Sequence, residues 1–327
     1  MKIVTLALIM LSILILGCSE KNKTTEVSPP VVQSIEWKEM ASLPEGFYLG
    51  DAVSMRDEIY FVAGRNDVGR VSLLFKFSPD INQWTQLADI PDPAVNLALA
   101  EINGIIYAIG GDLFKDTTRR YTPDSDSWEI MEPMPTGRQH IDCGVYGNDI
   151  FVMGGLTSWD DITKKHEVYN VLTNSWKEIE AIPSWRNNAA VATLKNEIYV
   201  MGGAGTEDNV WGDIQSVESY NISTGVWEQK NDLPLMLFKP SSVVVNDQLF
   251  LLGGQAMING VQDCSDKVFI YNEGEDNWIE TTPLPAKNVF FGCCSIDEKI
   301  YVIGGTVGGN PNWDSYPTVY EGTVVYE

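Results

Sequence analysis

In this 327-residue chain the side chains best suited to chemistry stand at fixed distances after tryptophans. Arg138 and Arg186 lie ten residues after Trp128 and Trp176, His140 and Lys239 twelve after Trp128 and Trp227, and Asp51 and Asp142 fourteen after Trp37 and Trp128. An arginine fork matches a carboxylate in two-point fashion, so Arg138 and Arg186, with Lys239, are candidates to hold an anion. A carboxylate or imidazole beside such a clamp can move a proton, which makes Asp142, His140 and Asp51 the candidates for a general acid or base. Each group also has a plainer reading. A basic side chain is often solvated or paired with a neighbouring carboxylate, and the aspartates could equally cap hydrogen bonds along a channel. Lys287, Arg65 and Arg70 add positive charge near the same points of the chain and carry the same two readings.

Other chemistries are poorly served. With two histidines, His140 and His166, and no Cys-x-x-Cys pair, no histidine-rich or cysteine-rich metal site is expected. There is no Gly-x-Ser-x-Gly elbow and no phosphate loop. No metal and no cofactor is expected.

The elements that must position these residues come from a repeat. Trp37, Trp84, Trp128, Trp176, Trp227 and Trp278 are each followed 26 residues later by a doublet that ends in glycine, from Ala63-Gly64 to Gly304-Gly305. Before each doublet runs a short apolar segment with an aliphatic then an aromatic residue, such as Ile59-Tyr60 or Ile198-Tyr199, which reads as a strand buried on both faces. A second apolar segment precedes it across a polar turn such as Lys195-Asn196-Glu197, which makes a hairpin. Another aromatic, Phe77, Tyr121, Tyr169, Tyr220 or Tyr271, stands seven residues before five of the tryptophans, with turn residues between. Each unit therefore holds four short antiparallel strands, a to d, and no helical period competes.

Units of this kind at a period of 44 to 51 residues mark a β-propeller. The paired glycines, the spaced tyrosine and tryptophan and the Ile-Tyr-Val strand resemble the kelch-repeat family over about residues 33 to 327. That resemblance implies an all-β, six-bladed propeller and, more often than any single chemistry, a binding scaffold. Trp37 has no strands a to c ahead of it, so the segment around Gln33 to Lys38 is expected to supply the outer strand of the last blade and close the ring. Galactose-oxidase-like radical chemistry, seen in related propellers, needs copper ligands that this chain scarcely offers.

Residues 1–17, with Lys2 ahead of an apolar run from Ile3 to Leu16, have the form of a signal peptide. Leu14-Ile15-Leu16-Gly17-Cys18 resembles a bacterial lipoprotein processing site, which implies a lipidated Cys18 and a flexible tether over residues 18–32. Ser19 favours the outer membrane by the same resemblance, on a side left open; an ordinary secretory signal is the alternative. The processed chain would carry 21 basic and 45 acidic residues, a net charge of −24. Such a surface repels nucleic acid and otherwise serves solubility, and a monomer is expected. Cys143, Cys293 and Cys294 fall in columns of small residues and read as buried fillers, while Cys264, on a long loop, could reach Cys293 or Cys294.

If a–b and c–d turns share one face, the long b–c loops and the d–a crossovers share the other. The four tryptophans outside the repeat, Trp159, Trp185, Trp211 and Trp313, all map to that second face, as do Arg138, Arg186 and Lys239. Each tryptophan could simply pack its own loop onto the rim. Together they suggest a face for a protein or a glycan, since aromatic rings stack on sugars and anchor protein hot spots. Two functions follow. One is a lipid-anchored binding propeller without turnover. The other is a mutarotase or epimerase for an acidic sugar, similar to the sialic acid mutarotases, in which Arg138 or Arg186 holds the carboxylate and Asp142, His140 or Asp51 moves the proton.

Overall fold

A computed structural model describes residues 30–327 apart from 63, 94, 208, 209, 259, 260 and 308–313. Its regular structure is β apart from one short 3-10 turn, Pro123–Ser125. Among the described residues there are six four-stranded antiparallel sheets, one per repeat. In the third, strands a to d are Asp142–Tyr146, Asp149–Met153, His166–Asn170 and Ser175–Glu178. The six a strands neighbour one another in a closed ring, so each blade's innermost strand faces the axis.

The last blade closes as expected. Its strand d is Val32–Glu39, paired antiparallel along Val319–Tyr326, with Trp37 opposite Gly322. In the other blades the repeat tryptophan sits opposite the repeat aromatic, as Trp176 does opposite Tyr169, with ring centroids 5.1 Å apart in that pair. A Cβ on Gly322 would come within 2.5 Å of the Trp37 ring, so here glycine makes the space that the partner ring fills elsewhere.

The tryptophans also bind blade to blade. Indole Nε1 donates to a carbonyl in the segment leaving the preceding blade: Trp84 to Ala41, Trp128 to Ala88 and Trp176 to Glu132, at 2.8 to 2.9 Å. The glycine doublets serve the same junction. In the doublet 154–155 the N–H of Gly155 donates to the Arg186 carbonyl at 2.9 Å, and a Cβ on Gly154 would lie 2.4 Å from that oxygen. A left-handed backbone with φ of +59° and +97° at these two residues completes the reason for glycine.

The long b–c loops carry pairing of their own. In blades three, four and five they form small ladders outside the blade sheets: Leu156–Ser158 with Asp161–Ile162, Ala204–Glu207 with Val210–Asp213, and Gln255–Ile258 with Val261–Cys264. In blade four the crossover strand Trp185–Asn187 adds to that ladder. Extended segments that leave the blade edge have unpaired backbone groups, and pairing with each other satisfies them.

Candidate functional site

The residues twelve after each repeat tryptophan form a ring at the loop end of the axis. They are Leu49, Asn96, His140, Asn188, Lys239 and Phe290, and all six have left-handed φ between 50° and 60°. Their backbones are linked around the axis: Leu49 N–H donates to the Phe290 carbonyl, Asn96 to Leu49, His140 to Asn96, Asn188 to His140 and Lys239 to Asn188. Left-handed backbone is costly for residues other than glycine, asparagine and aspartate, so Leu49, His140, Lys239 and Phe290 are held by this ring rather than by their own preference.

Just inside the ring lies a cavity of about 140 Å³ lined from all six blades, including Asp51, Asn96, Asp142, Lys239, Ser242 and Cys293. Asp142 begins strand a of its blade and stitches it to the next: Oδ1 accepts the Cys143 N–H at 2.8 Å, and Oδ2 accepts the Val191 N–H at 3.0 Å. Asp51 does the same for the first blade, with Oδ1 accepting from Ala52 at 2.8 Å and a further backbone bond from Leu99. Burial, reinforced by the charge of Asp142, pushes the Asp51 carboxyl up to about 7 despite Lys239 and the backbone donors. Burial raises Asp142 as well, against the pull of Lys239. His140 Nδ1 lies 2.9 Å from Asn188 Oδ1, which can only accept; burial outweighs that bond and, with Lys239, holds the imidazole down at about 4. Asp51, Asp142 and Lys239 thus share one cavity, with His140 on its rim. The aspartates cap inner-strand hydrogen bonds, and they also face the cavity.

Arg138 and Arg186 are elsewhere, and the anion-clamp expectation is corrected for both. Each side chain turns away from the axis into the body of the next blade, where it is buried. Arg138 Nη1 donates to the carbonyls of Gly154 and Lys165 at 2.9 and 2.7 Å, and Nη2 to Glu167 Oε2 at 2.8 Å. Arg186 Nη2 donates to Glu218 Oε2 at 3.0 Å and Ser216 Oγ at 2.8 Å, and Nη1 to the Ser216 and Gly202 carbonyls. Burial pulls the Arg138 guanidinium down to about 10, with Glu167 opposing, so it stays charged at neutral pH. With the terminal nitrogens filled and the side chain buried, neither fork faces a ligand. Arg70 pairs with Asp112 and Lys287 with Asp263, and Arg65 Nε donates to Tyr48 Oη at 3.2 Å.

On the loop face, Trp159 is 64% and Trp185 44% exposed. The Phe114 ring stands edge-on to Trp159 at 5.2 Å, and Lys164 Nζ lies 5.4 Å over the Trp185 ring. Leu113, Met257 and Val261 are exposed on neighbouring loops. Trp313 and Cys18 lie outside the described residues, as does the side chain of Trp211. Cys143, Cys264, Cys293 and Cys294 are free thiols; Cys264 is buried in its loop ladder with Sγ 4.0 Å from the Thr306 carbonyl, Cys294 is buried in a blade core as expected, and Cys143 and Cys293 pack against the cores and also line the axial cavity.

Sequence reasoning missed Glu167 and Glu218, the two partners that take the arginines out of play. A signal existed. Two residues before the repeat aromatic, blades three and four have glutamate where blades one and five have Phe75 and Phe269, and arginine stands ten after tryptophan in the same two units. It also missed the ring, whose signal is asparagine twice in one column, Asn96 and Asn188.

The KLHDC2/KLHL20/DRC7 kelch-repeats domain matches residues 96–305, well over half of the chain. The chain belongs to the kelch-repeat family. Among kelch relatives, human Kelch-like protein 15 is 25% identical over 268 residues, covering 78% of this chain and 38% of that protein. Zebrafish (Danio rerio) Kelch-like protein 26 is 24% identical over 290 residues, covering 84% and 38%. The chain therefore spans well under half the length of these kelch relatives. The solved structure of YjhT superposes with a TM-score of 0.72 at 16% identity, covering 86% of this chain and 95% of that one, a likeness of fold.

Proposed function

We propose that this kelch propeller is a non-enzymatic binding module that presents its b–c and d–a loop face to a protein or glycan. The observation that carries this reading is the pair of exposed indoles, Trp159 and Trp185, on ladders that stand out from the blades, with Phe114 against Trp159 and with Leu113, Met257 and Val261 exposed on the loops of the flanking blades. Exposed aromatics in such a cluster are the usual anchors of an interface.

The termini support an oriented display. The Pro30 carbonyl accepts from Gln248 Nε2 beside an a–b turn, and Glu327 N–H donates to the Val31 carbonyl, so Pro30 and Glu327 lie on the face opposite the aromatic one. A tether over residues 18–32 from a lipidated Cys18, in a bacterial outer membrane, would then point the loop face away from the lipid. Globomycin sensitivity and palmitate labelling of Cys18→Ala test the anchor. For the binding face, immobilised protein is challenged with envelope extract, and each captured partner is purified and titrated. Trp159→Ser and Trp185→Ser are expected to weaken it at least tenfold, and equal affinity for wild type and both variants would remove the reading.

A second reading keeps one specific observation, the Asp51–Asp142 pair with Lys239 in an axial cavity. Such a set can pass a proton, as a sugar mutarotase or epimerase requires. Its acidic-sugar form loses the arginine clamp that it relied on, and Lys239 remains as the cation lining the cavity. Exchange NMR on anomers of sialic acid tests it: no acceleration over buffer excludes that form.

A further inference from the structure

Beyond the loop face, we infer that the axial cavity is a binding site for an uncharged, pyranose-sized polyol, held through Asp51, Asp142, Asn96 and Lys239. It goes further than the mutarotase reading by naming the ligand class, and it stands as a binding site with or without turnover.

Three observations point to a ligand. The first is shape: at roughly 30 Å³ per water, a 140 Å³ space holds on the order of five waters, or the ring atoms of one pyranose whose outer hydroxyls reach the mouth. The second is an orphan. Asn96 lines the cavity, is 7% exposed, and its Oδ1 meets no donor. A buried carboxamide oxygen without a partner costs about 1–3 kcal/mol, and a half-turn of the amide sets either Oδ1 or Nδ2 against a ligand. The third is unused capacity at the carboxylates. Asp142 accepts one backbone N–H at each oxygen, and a carboxylate has room for about four donors.

The charges then select among ligands. A carboxylate would meet two aspartates and one lysine. An ammonium would meet Lys239, which already acts on Asp51, Asp142 and His140. An apolar group would leave the carboxylates and the Asn96 amide without partners, which is costly in a closed space. A hydroxyl both donates and accepts, so neighbouring hydroxyls can donate to Asp51, Asp142 and Asn96 Oδ1 while another accepts from Lys239 Nζ. Ser242 Oγ donates to the Val191 carbonyl at 3.0 Å and keeps its lone pairs for a further hydroxyl. The raised carboxyl of Asp51 fits this set, since a pair that keeps one proton leaves the cavity near neutral beside Lys239.

The test is isothermal titration of the purified full chain with neutral hexoses and pentoses, sialic acid and putrescine. A neutral pyranose is expected to bind saturably at one site. Asn96→Gly and Lys239→Gly, which suit the left-handed backbone and so keep the fold, are each expected to weaken it at least tenfold with Tm within a few degrees of wild type. Failure of every neutral sugar to bind overturns the inference, as does an unchanged Kd in both variants. Tighter binding of sialic acid or putrescine than of all the neutral sugars overturns it too. Exchange NMR separates the site from the chemistry: binding without accelerated anomer exchange upholds the site and removes the isomerase reading, and acceleration lost in Asp142→Asn upholds both.

Discussion

Arg138 and Asp142 are four residues apart, both at the loop end of the third blade, and their surroundings have opposite character. Arg138 is closed off: its terminal nitrogens meet Glu167 and backbone carbonyls, and water does not reach it. Asp142 is open: it stitches two inner strands and still faces a cavity shared with Asp51 and Lys239. The repeat sharpens the contrast. Where blades three and four hold an arginine–glutamate pair, the first blade holds Phe47 against Phe75, rings 5.6 Å apart, and the fifth has Leu237 and Phe269 in one core cluster. Apolar residues fill the arginine–glutamate position in sister blades, so that pair serves packing within the blade. The axial columns also hold apolar residues, Ala98 and Ala190 in the column of Asp51 and Asp142 and Leu49 and Phe290 in that of Lys239, so what sets the axial set apart is the cavity it faces. Whether a charged side chain can meet a ligand depends on the space it faces, not on its type.

The largest effect should come from breaking a closed pair. Glu218→Ala leaves the Arg186 charge buried without its carboxylate and is expected to cost about 3–5 kcal/mol in urea unfolding. The double variant Arg186→Leu with Glu218→Phe, which copies the fifth blade, should recover at least half of that loss. A double variant as unstable as the single would break the equivalence of the columns.

At the axis the effect should be smaller and depend on pH. The folded-state value of Asp51, about 7, lies above the ordinary 3.8, so the native protein holds a proton that the unfolded chain releases. That contribution is complete below about pH 4 and is lost as pH rises through about 7. Allowing for contact with solvent, Asp51→Asn should gain about 2 kcal/mol on wild type at pH 8 relative to pH 4, measured by urea unfolding at both values. A constant difference across that range would contradict the buried-acid account.

The smallest effect is expected on the rim. His140→Asn copies two sister residues and tolerates the left-handed backbone, so stability at pH 8 should change by less than about 1 kcal/mol. The imidazole, held at about 4 against an ordinary 6.5, contributes stability above pH 6.5 that is lost as pH falls through about 4. The variant should therefore gain on wild type between pH 6.5 and 4, in the opposite sense to Asp51. Thermal melts at pH 7.5 and 4.5 distinguish the two.

The repeat made most of the fold legible, because a spacing that recurs six times overrides local propensity: the blade strands, the glycine turns and the closing strand at Trp37 all follow from it. The site was legible in part. Columns placed Asp51, Asp142, His140 and Lys239 near one mouth, where the structure brings them together. The same columns placed Arg138 and Arg186 there too, because a spacing locates a backbone and not the direction of a long side chain. From the ring position an aspartate two residues on points inward, whereas an arginine two residues before it reaches outward to Glu167 or Glu218 across about 30 residues of sequence. Nothing local in the chain records that contact. The loop ladders were hidden for a related reason, since their pairing satisfies backbone groups whatever the side chains.

The division of buried charge between scaffold and mouth is tested most directly by a double-mutant cycle on Arg138 and Glu167 in urea unfolding. With Arg138→Met, Glu167→Leu and the double, a coupling of at least about 2 kcal/mol is expected, because each single strands the other partner in the core. A coupling near zero, with each single costing under about 1 kcal/mol, would contradict it and return Arg138 to the residues that await a ligand.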